Sequence, residues 1–520
     1  MKRIISIFLS ALLLAGVLSM GVVPANAAGI NITAAFTDPA FRAAVYQKIG
    51  KRAPAPIYDT DVAGIKELRV SNQWIYNLEG LEYFVGLTEL VCTYNQIGSL
   101  PDLPPGLQSL YCDDNYLTAL PELPSGLTVL TCSDNSLASL PDLPSGITLL
   151  WCYSNRLTSL PALPPALKQF ICWSNKLTTL PALPLALTYF DCSGTQLTLL
   201  PALPSSLESL ICNYNQLPSL PDLPSSLTSL RCIDNQLTSL PELPSGLLTL
   251  ECYKNQITSL PVLPSNLTQL SCDTNQLISL PALPSGLTRL SCGTNQLTSL
   301  PALPSGLTQL NCGNNQLTAL PALPSSLTQL SCANNQLTAL PTLPANLKSL
   351  NCGKNQLTAL PKLPIGLEGL FCSDNQLTSI DVTGLQLKEL YCHRNSMVSK
   401  ADVIGFKGKW DSSNYTFDPQ NGREYYRHVL RELIMEAKAI RKSSNTDASW
   451  DALQTAITNA QTVGDDPDAT EEQLTAQTVA LRRAMNGLQT HWDACMQAFR
   501  RSSFYSILII LTFPIWIFFY

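Results

Sequence analysis

Apolar residues recur along most of this chain in a frame that is neither helical nor simply alternating. Cysteine marks its phase. Sixteen cysteines, Cys92 to Cys392, follow one another at intervals of twenty, and around each the chain reads L-x-x-L-x-C-x-x-N-x-L-x-x-L-P-x-L-P. One clear copy runs from Leu307 through Leu310, Cys312, Asn315, Leu317 and Leu320-Pro321 to Leu323-Pro324. In the L-x-C core the apolar positions alternate, so they point to one side of a short strand. One strand per repeat, always in the same direction, predicts a parallel sheet. A twenty-residue unit cannot bury its own apolar face, but stacked neighbours can share a continuous core. The asparagine column, broken only at Thr195, should turn the chain after the strand and bond the backbone of the adjacent turn. The L-P-x-L-P segment should return extended, because its prolines lack N–H donors and resist a helix.

The pattern changes at both flanks. Phe36 to Phe41 leads into a helix over residues 42–49 with Pro39 at its first turn, and Ile65-x-x-Leu68-x-Val70 opens a first, irregular repeat. Beyond the array the apolar period lengthens to three or four. Tyr426, Leu430, Leu433, Ala437 and Ile440 form one set, Trp450, Leu453, Ile457 and Ala460 a second, and Leu474, Leu481, Met485 and Leu488 a third. Three amphipathic helices follow from this. Thr470-Glu-Glu-Gln473 reads as the capping box of the last.

The sixteen copies resemble the bacterial leucine-rich repeat in its short form with L-P-x-L-P, over about Ile65 to Asn395, and the cysteine in place of a leucine resembles a cysteine-bearing subclass. The start of the array is similar to the N-terminal cap of internalin-type surface proteins. The later passage containing Ala437, Trp450 and Met485 is similar to FIVAR helical modules. These resemblances imply an α/β repeat solenoid with a small all-α bundle, and a role in protein recognition with the inner sheet as contact face. The expected organisation is a signal peptide at 1–27, a cap at 28–64, the solenoid at 65–400, a closing segment at 401–422, a helical module at 423–490 and an apolar tail at 491–520.

Lys2 and Arg3, the apolar run Ile4 to Leu18 and Ala25-Asn26-Ala27 have the layout of a secretory leader. The expected location is therefore secreted or cell-surface. The stretch from Phe504 to Tyr520 is almost wholly apolar and short for a membrane helix, so membrane or wall association through it stays open.

Charged residues make up 13% of the chain and the net charge is −6. That argues against nucleic acid, which is held by basic stripes. Only three histidines occur, far apart, which leaves little for a histidine metal site or triad. The cysteine ladder allows three readings: buried thiols acting as small core hydrophobes, partial disulfide bridging in an exported protein, or a metal–thiolate stack, for which the usual C-x-x-C spacing is missing. Cys495 stands outside the ladder with no partner at a ligase-like spacing, and no hydrolase, zinc-protease or phosphate-loop motif is present. The chain is expected to bind, without catalysis and without a cofactor.

The columns on either side of the strand's apolar residues should face the open inner surface. From Cys272 to Cys352 they are mainly Gln, Ser, Asn, Gly and Ala, such as Gln269, Ser291, Asn311, Gly313 and Ala333. From Cys112 to Cys252 they hold Tyr111, Trp151, Tyr153, Trp173, Tyr189 and Tyr253, with Tyr214 one step past its strand and Asp113, Asp191, Arg231, Glu251 and Lys254 interspersed. Exposed rings bordered by charge mark contact sites. The expected ligand is a protein of a host or neighbouring cell, with a surface glycan as the alternative. Drift on a tolerant surface, or rings that stack only on each other, would leave the same pattern.

Overall fold

The three-residue strands of the repeats pair in parallel at a constant offset of twenty. Ser209–Ile211 registers on Ser229–Arg231, with Leu210 opposite Leu230, and Thr249–Glu251 registers on Gln269–Ser271 in the same way. In each strand the central residue is buried and its two neighbours are at least partly exposed in nearly every repeat. The computed structural model describes residues 29–410, 413–418, 420–440, 447–486 and 488. These fall into two compact units, Met1–Leu149 and Leu150–Tyr520. The leader-like stretch, Cys495 and the apolar tail lie outside the described residues.

The first unit opens with a cap. Helix α1 (Pro39–Lys48) starts on Asp38, whose carboxylate accepts the N–H groups of Ala40 and Phe41, both at 2.8 Å. The other oxygen accepts from Tyr76 at 2.7 Å, in the first repeat. One buried carboxylate thus caps a helix and pins it to the solenoid. Phe36 packs edge-on against Phe41 and Phe84, all fully buried, closing the apolar interior. A one-turn helix, α2 (Asp59–Val62), follows, and then the strands Glu67–Arg69, Glu89–Val91, Ser109–Tyr111 and Val129–Thr131 pair in order, all parallel.

The second unit continues the frame from Gln169–Ile171 to Glu389–Tyr391. In one repeat Leu207, Leu210, Cys212 and Leu217 are all fully buried, and they make the shared core. Among the described residues the proline-rich return contains no helix, and it closes a turn in repeat after repeat, as from Leu227 N–H to Pro224 O at 3.1 Å. After the last repeat, Tyr415–Thr416 pairs in parallel with Glu389–Tyr391. Gln420 then takes over from the asparagine column, accepting from Asn395 N–H at 2.8 Å and donating to Cys392 O at 3.0 Å. The closing segment thereby satisfies the exposed end of the ladder, which a solenoid requires. Helices α3 (Arg423–Ala439), α4 (Asp447–Asp465) and α5 (Glu471–Asn486) form the bundle over Leu430, Leu433, Leu453, Ile457, Leu474 and Leu481. The capping box is present: Gln473 N–H donates to Thr470 Oγ1 at 3.2 Å, and Thr470 N–H donates to Gln473 Oε1 at 2.7 Å.

The asparagines do what their spacing predicts. Asn215 Nδ2 donates to the carbonyls of Cys192, Cys212 and Asn213 at 3.0–3.2 Å, while its Oδ1 accepts from Leu197 N–H at 2.9 Å. Each amide therefore joins its own turn to the preceding one. At Thr195 a hydroxyl with a single proton replaces two amide donors, and it keeps only the bond to Cys192 O, at 2.8 Å, while Oδ1 of Asn215 lies 3.0 Å away.

All sixteen ladder cysteines are thiols outside any disulfide and fully buried. The disulfide reading is thereby corrected for the described residues. Strands stacked in register send their side chains out in parallel, so neighbouring sulfurs do not face each other. Some sulfurs donate to the next repeat's backbone, as Cys112 does to Thr131 O at 3.3 Å. Burial pushes the thiols of Cys92, Cys252 and Cys352 up to about 12, which holds them in the unreactive protonated form. Native protein should therefore bind no more than one equivalent of Ellman's reagent, whereas unfolded chain, with 17 cysteines, binds them all. Rapid titration of several thiols in folded protein would contradict this packing.

Candidate functional site

Three parallel columns flank the buried core on the inner face. The position before the central strand residue contributes Tyr189, the position after it Tyr111 and Trp151, and the position after the cysteine Tyr153, Trp173 and Tyr253. Every one of these rings is partly exposed, and none is taken into the interior. The side chains alternate with Leu and Cys along each strand, so their direction follows from the pleat.

Tyr111 lies in the first unit and the other six rings in the second. In the second unit Tyr153 and Trp173, one repeat apart in the same column, stack at 4.4 Å between centroids with 9° between planes. Their pairing is thus partly mutual, as the plainer reading of the sequence allowed. Tyr214 does not share these columns. It occupies a left-handed turn (φ 55°) at the end of its strand and is the most exposed of the set. Burial pushes the Tyr253 hydroxyl up, with the Tyr214 ring the next contributor.

The charges interspersed among the rings are largely consumed within the fold. Asp113 Oδ1 accepts from Ser133 N–H at 2.8 Å, and its second oxygen takes the Thr131 hydroxyl. Asp191 accepts from Ser193 N–H at 3.0 Å and from its hydroxyl at 2.7 Å. Burial nevertheless raises both carboxyls above the ordinary range, because the hydrogen bonds only partly offset lost hydration. Arg231 pairs with Glu251 at 3.6 Å and Lys254 with Asp234 at 3.5 Å. These pairs run along the solenoid, one repeat to the next, and leave the aromatic columns as the more available chemistry.

Further along the second unit the inner face forms an open trough of about 440 Å³. Gln269, Gln309 and Gln329 line one side and Ser291, Asn311 and Ser331 the other. Asp273, just outside the lining, holds two of these side chains: it accepts from Ser291 Oγ at 2.7 Å and Asn311 Nδ2 at 3.1 Å, and from Gly293 N–H at 2.9 Å. Small residues after the cysteine are partly imposed here. A Cβ on Gly313 would meet the Ala333 carbonyl at 3.0 Å. The sequence columns had marked this stretch only as small and polar.

Four exposed rings, Trp74, Tyr76, Tyr94 and Tyr116, escaped the sequence reading. Trp74, Tyr94 and Tyr116 lie past their strands, outside the columns that alternation selects. Aligning the repeats on their asparagines would have singled out Tyr116, since most later copies have Gln there.

A solenoid of parallel three-residue strands with leucine and asparagine ladders, and an inner face left to variable side chains, defines a leucine-rich repeat protein. No family model and no curated protein matches the sequence. Among solved structures, YopM from Yersinia enterocolitica is 32% identical over 68% of this chain and 95% of that one, with a TM-score of 0.57. YopM from Yersinia pestis, a leucine-rich effector protein, is 32% identical over 72% of this chain and 95% of that one, at TM-score 0.56. The functional domain of InlJ from Listeria monocytogenes, which includes a cysteine ladder, is 26% identical over 70% and 76%, at TM-score 0.41. This chain belongs to the bacterial leucine-rich repeat proteins. No helix among the described residues is long and apolar enough to cross a membrane.

Proposed function

We propose that this is an exported or cell-surface protein that binds a partner protein through the inner face of its sheet, as a recognition scaffold rather than a catalyst. The observation that carries the reading is the placement of partly exposed Trp and Tyr in columns where the same frame elsewhere takes Ser, Gly or Asn. Rings held on a rigid sheet lose little entropy on binding and dominate interface hot spots. Export is supported by the leader-like residues 1–27. The helices α3, α4 and α5, with their FIVAR-like sequence, act as a spacer after the repeats.

The test compares cross-linking capture by the wild type with that by Trp151→Ser/Trp173→Ser and by Leu185→Ser. Leu185 is exposed and lies in the proline-rich return. A partner captured by the wild type and by Leu185→Ser, and lost with the double variant while its melting temperature falls by only a few degrees, supports the reading. Undiminished capture by the double variant overturns it. If instead a glycan array gives the ring-dependent signal, the ligand is a sugar.

A further inference from the structure

The edge of the first unit where the strands turn over carries a patch that the inner-face reading does not use. Two columns build it. Backbone bonds fix the first: Gln96 N–H donates to Ile75 O at 2.9 Å and Tyr116 N–H to Ile97 O at 3.0 Å, so Trp74, Gln96 and Tyr116 follow one another one repeat apart. The second holds Asn72, Tyr94, Asp114 and Asp134, aligned by Tyr94 N–H to Asp113 O at 3.1 Å and Asp114 N–H to Ser133 O at 3.0 Å. Consecutive members of a column are about 4.8 Å apart. Trp74, Tyr94 and Tyr116 are 69%, 64% and 64% exposed, far more than the rings of the inner face.

The fold does not ask for these residues. In the second unit the first column is mostly glutamine, as at Gln216, Gln236 and Gln256. The second column is left-handed throughout, and Tyr94 sits there at φ 56°. Asn or Asp tolerates that conformation, while a bulky ring is disfavoured in it. The charges are equally unaccommodated. Where this column carries Asp234 and Asp374, the next repeat supplies a cation, Lys254 at 3.5 Å and Arg394 at 3.3 Å. After Asp114 comes Asp134 instead, and neither carboxylate has an ion pair among the described residues. Asp114 follows Tyr94 in this column, one repeat on, so ring and carboxylate form one surface.

We propose that this edge is a second contact surface, which takes a lysine- or arginine-bearing segment of a protein partner. Its cations lie on the faces of Trp74, Tyr94 and Tyr116 and pair with Asp114 and Asp134. The surface is independent of the inner-face rings.

Fluorescence anisotropy of a fluorescein-labelled hexa-arginine peptide, titrated with the full chain at physiological salt, tests it. Asp114→Asn/Asp134→Asn and Trp74→Gln/Tyr116→Gln should each weaken binding by about tenfold or more. Tyr94→Asn should weaken it too, with a melting temperature unchanged or raised, since asparagine suits the left-handed turn. Asp102→Asn/Glu122→Gln removes the same charge from exposed positions in the proline-rich return, and it should change affinity by less than about twofold. Equal losses from both carboxylate pairs would reveal attraction to net charge alone and overturn the proposal. Full affinity in the ring variants would do the same.

Discussion

Asn235→Ala should cost the solenoid about 3–5 kcal/mol and break its unfolding into separate steps. Asn235 is almost fully buried, and its amide donates to Cys212 O at 3.0 Å, Cys232 O at 3.3 Å and Ile233 O at 3.2 Å, while Oδ1 accepts from Leu217 N–H at 3.1 Å. Alanine leaves those backbone groups in a site that water cannot easily refill. Each orphaned buried group costs roughly 1–3 kcal/mol, against about 1 kcal/mol for a typical hydrogen bond exchanged with water. Repeat arrays are stabilised by nearest-neighbour terms, so a defect at an interior junction uncouples the repeats on either side. Urea unfolding followed by circular dichroism should then show two transitions, or one with a reduced slope. Gln236, next in sequence, is exposed, and Gln236→Ala should change stability by less than about 0.5 kcal/mol. A cost below about 1 kcal/mol for Asn235→Ala, with a single transition of unchanged slope, would mean that the ladder is not what holds the turns together.

The difference between Asn235 and Gln236 was legible before any coordinates. A strict twenty-residue period fixes which residues stack on which, and from that follow the parallel sheet, the shared core, the buried thiols and the asparagine ladder. The three helices at the C-terminal side were equally plain, because their apolar spacing changes period. What stayed hidden lies between repeats or off the strands. Asp113 looked like a free surface charge, yet its partners, Thr131 and Ser133, stand eighteen and twenty residues away, and nothing in the local sequence announces them. The parallel stack of Tyr153 on Trp173 depends on side-chain rotation, which a column cannot specify. Trp74, Tyr94 and Tyr116 were missed because strand alternation highlights only the inner face, whereas these rings belong to the turns. Gln420 illustrates the opposite case. It lies outside the frame and its spacing from Cys392 breaks the period, so its role as the last rung is a property of the fold alone.

The thiol ladder should also make the protein unusually sensitive to alkali. Burial raises the folded-state values of Cys92, Cys252 and Cys352 to about 12 and pushes twelve further ladder thiols up as well. Near neutrality both folded and unfolded chains keep these thiols protonated, so they add no pH dependence there. As the pH passes about 9 the unfolded chain begins to release thiol protons and the folded chain does not. The unfolded state then binds fewer protons, and stability falls with rising pH. Each such thiol contributes up to about 1.4 kcal/mol per pH unit in that window. Even four acting together remove more than about 5 kcal/mol per unit, the scale of a whole domain's stability. Under reducing conditions circular dichroism should therefore show the repeats collapsing steeply between about pH 9 and 11, with thiolate absorbance rising in step rather than beforehand. Replacing Cys92, Cys252 and Cys352 together by Ala should flatten the dependence by about 4 kcal/mol per pH unit, whatever the cavities cost at neutral pH. Thiolate absorbance that rises near pH 9 while the far-ultraviolet spectrum stays native would show the sulfurs to be open to solvent, and the shared interior on which the fold rests would have to be redrawn.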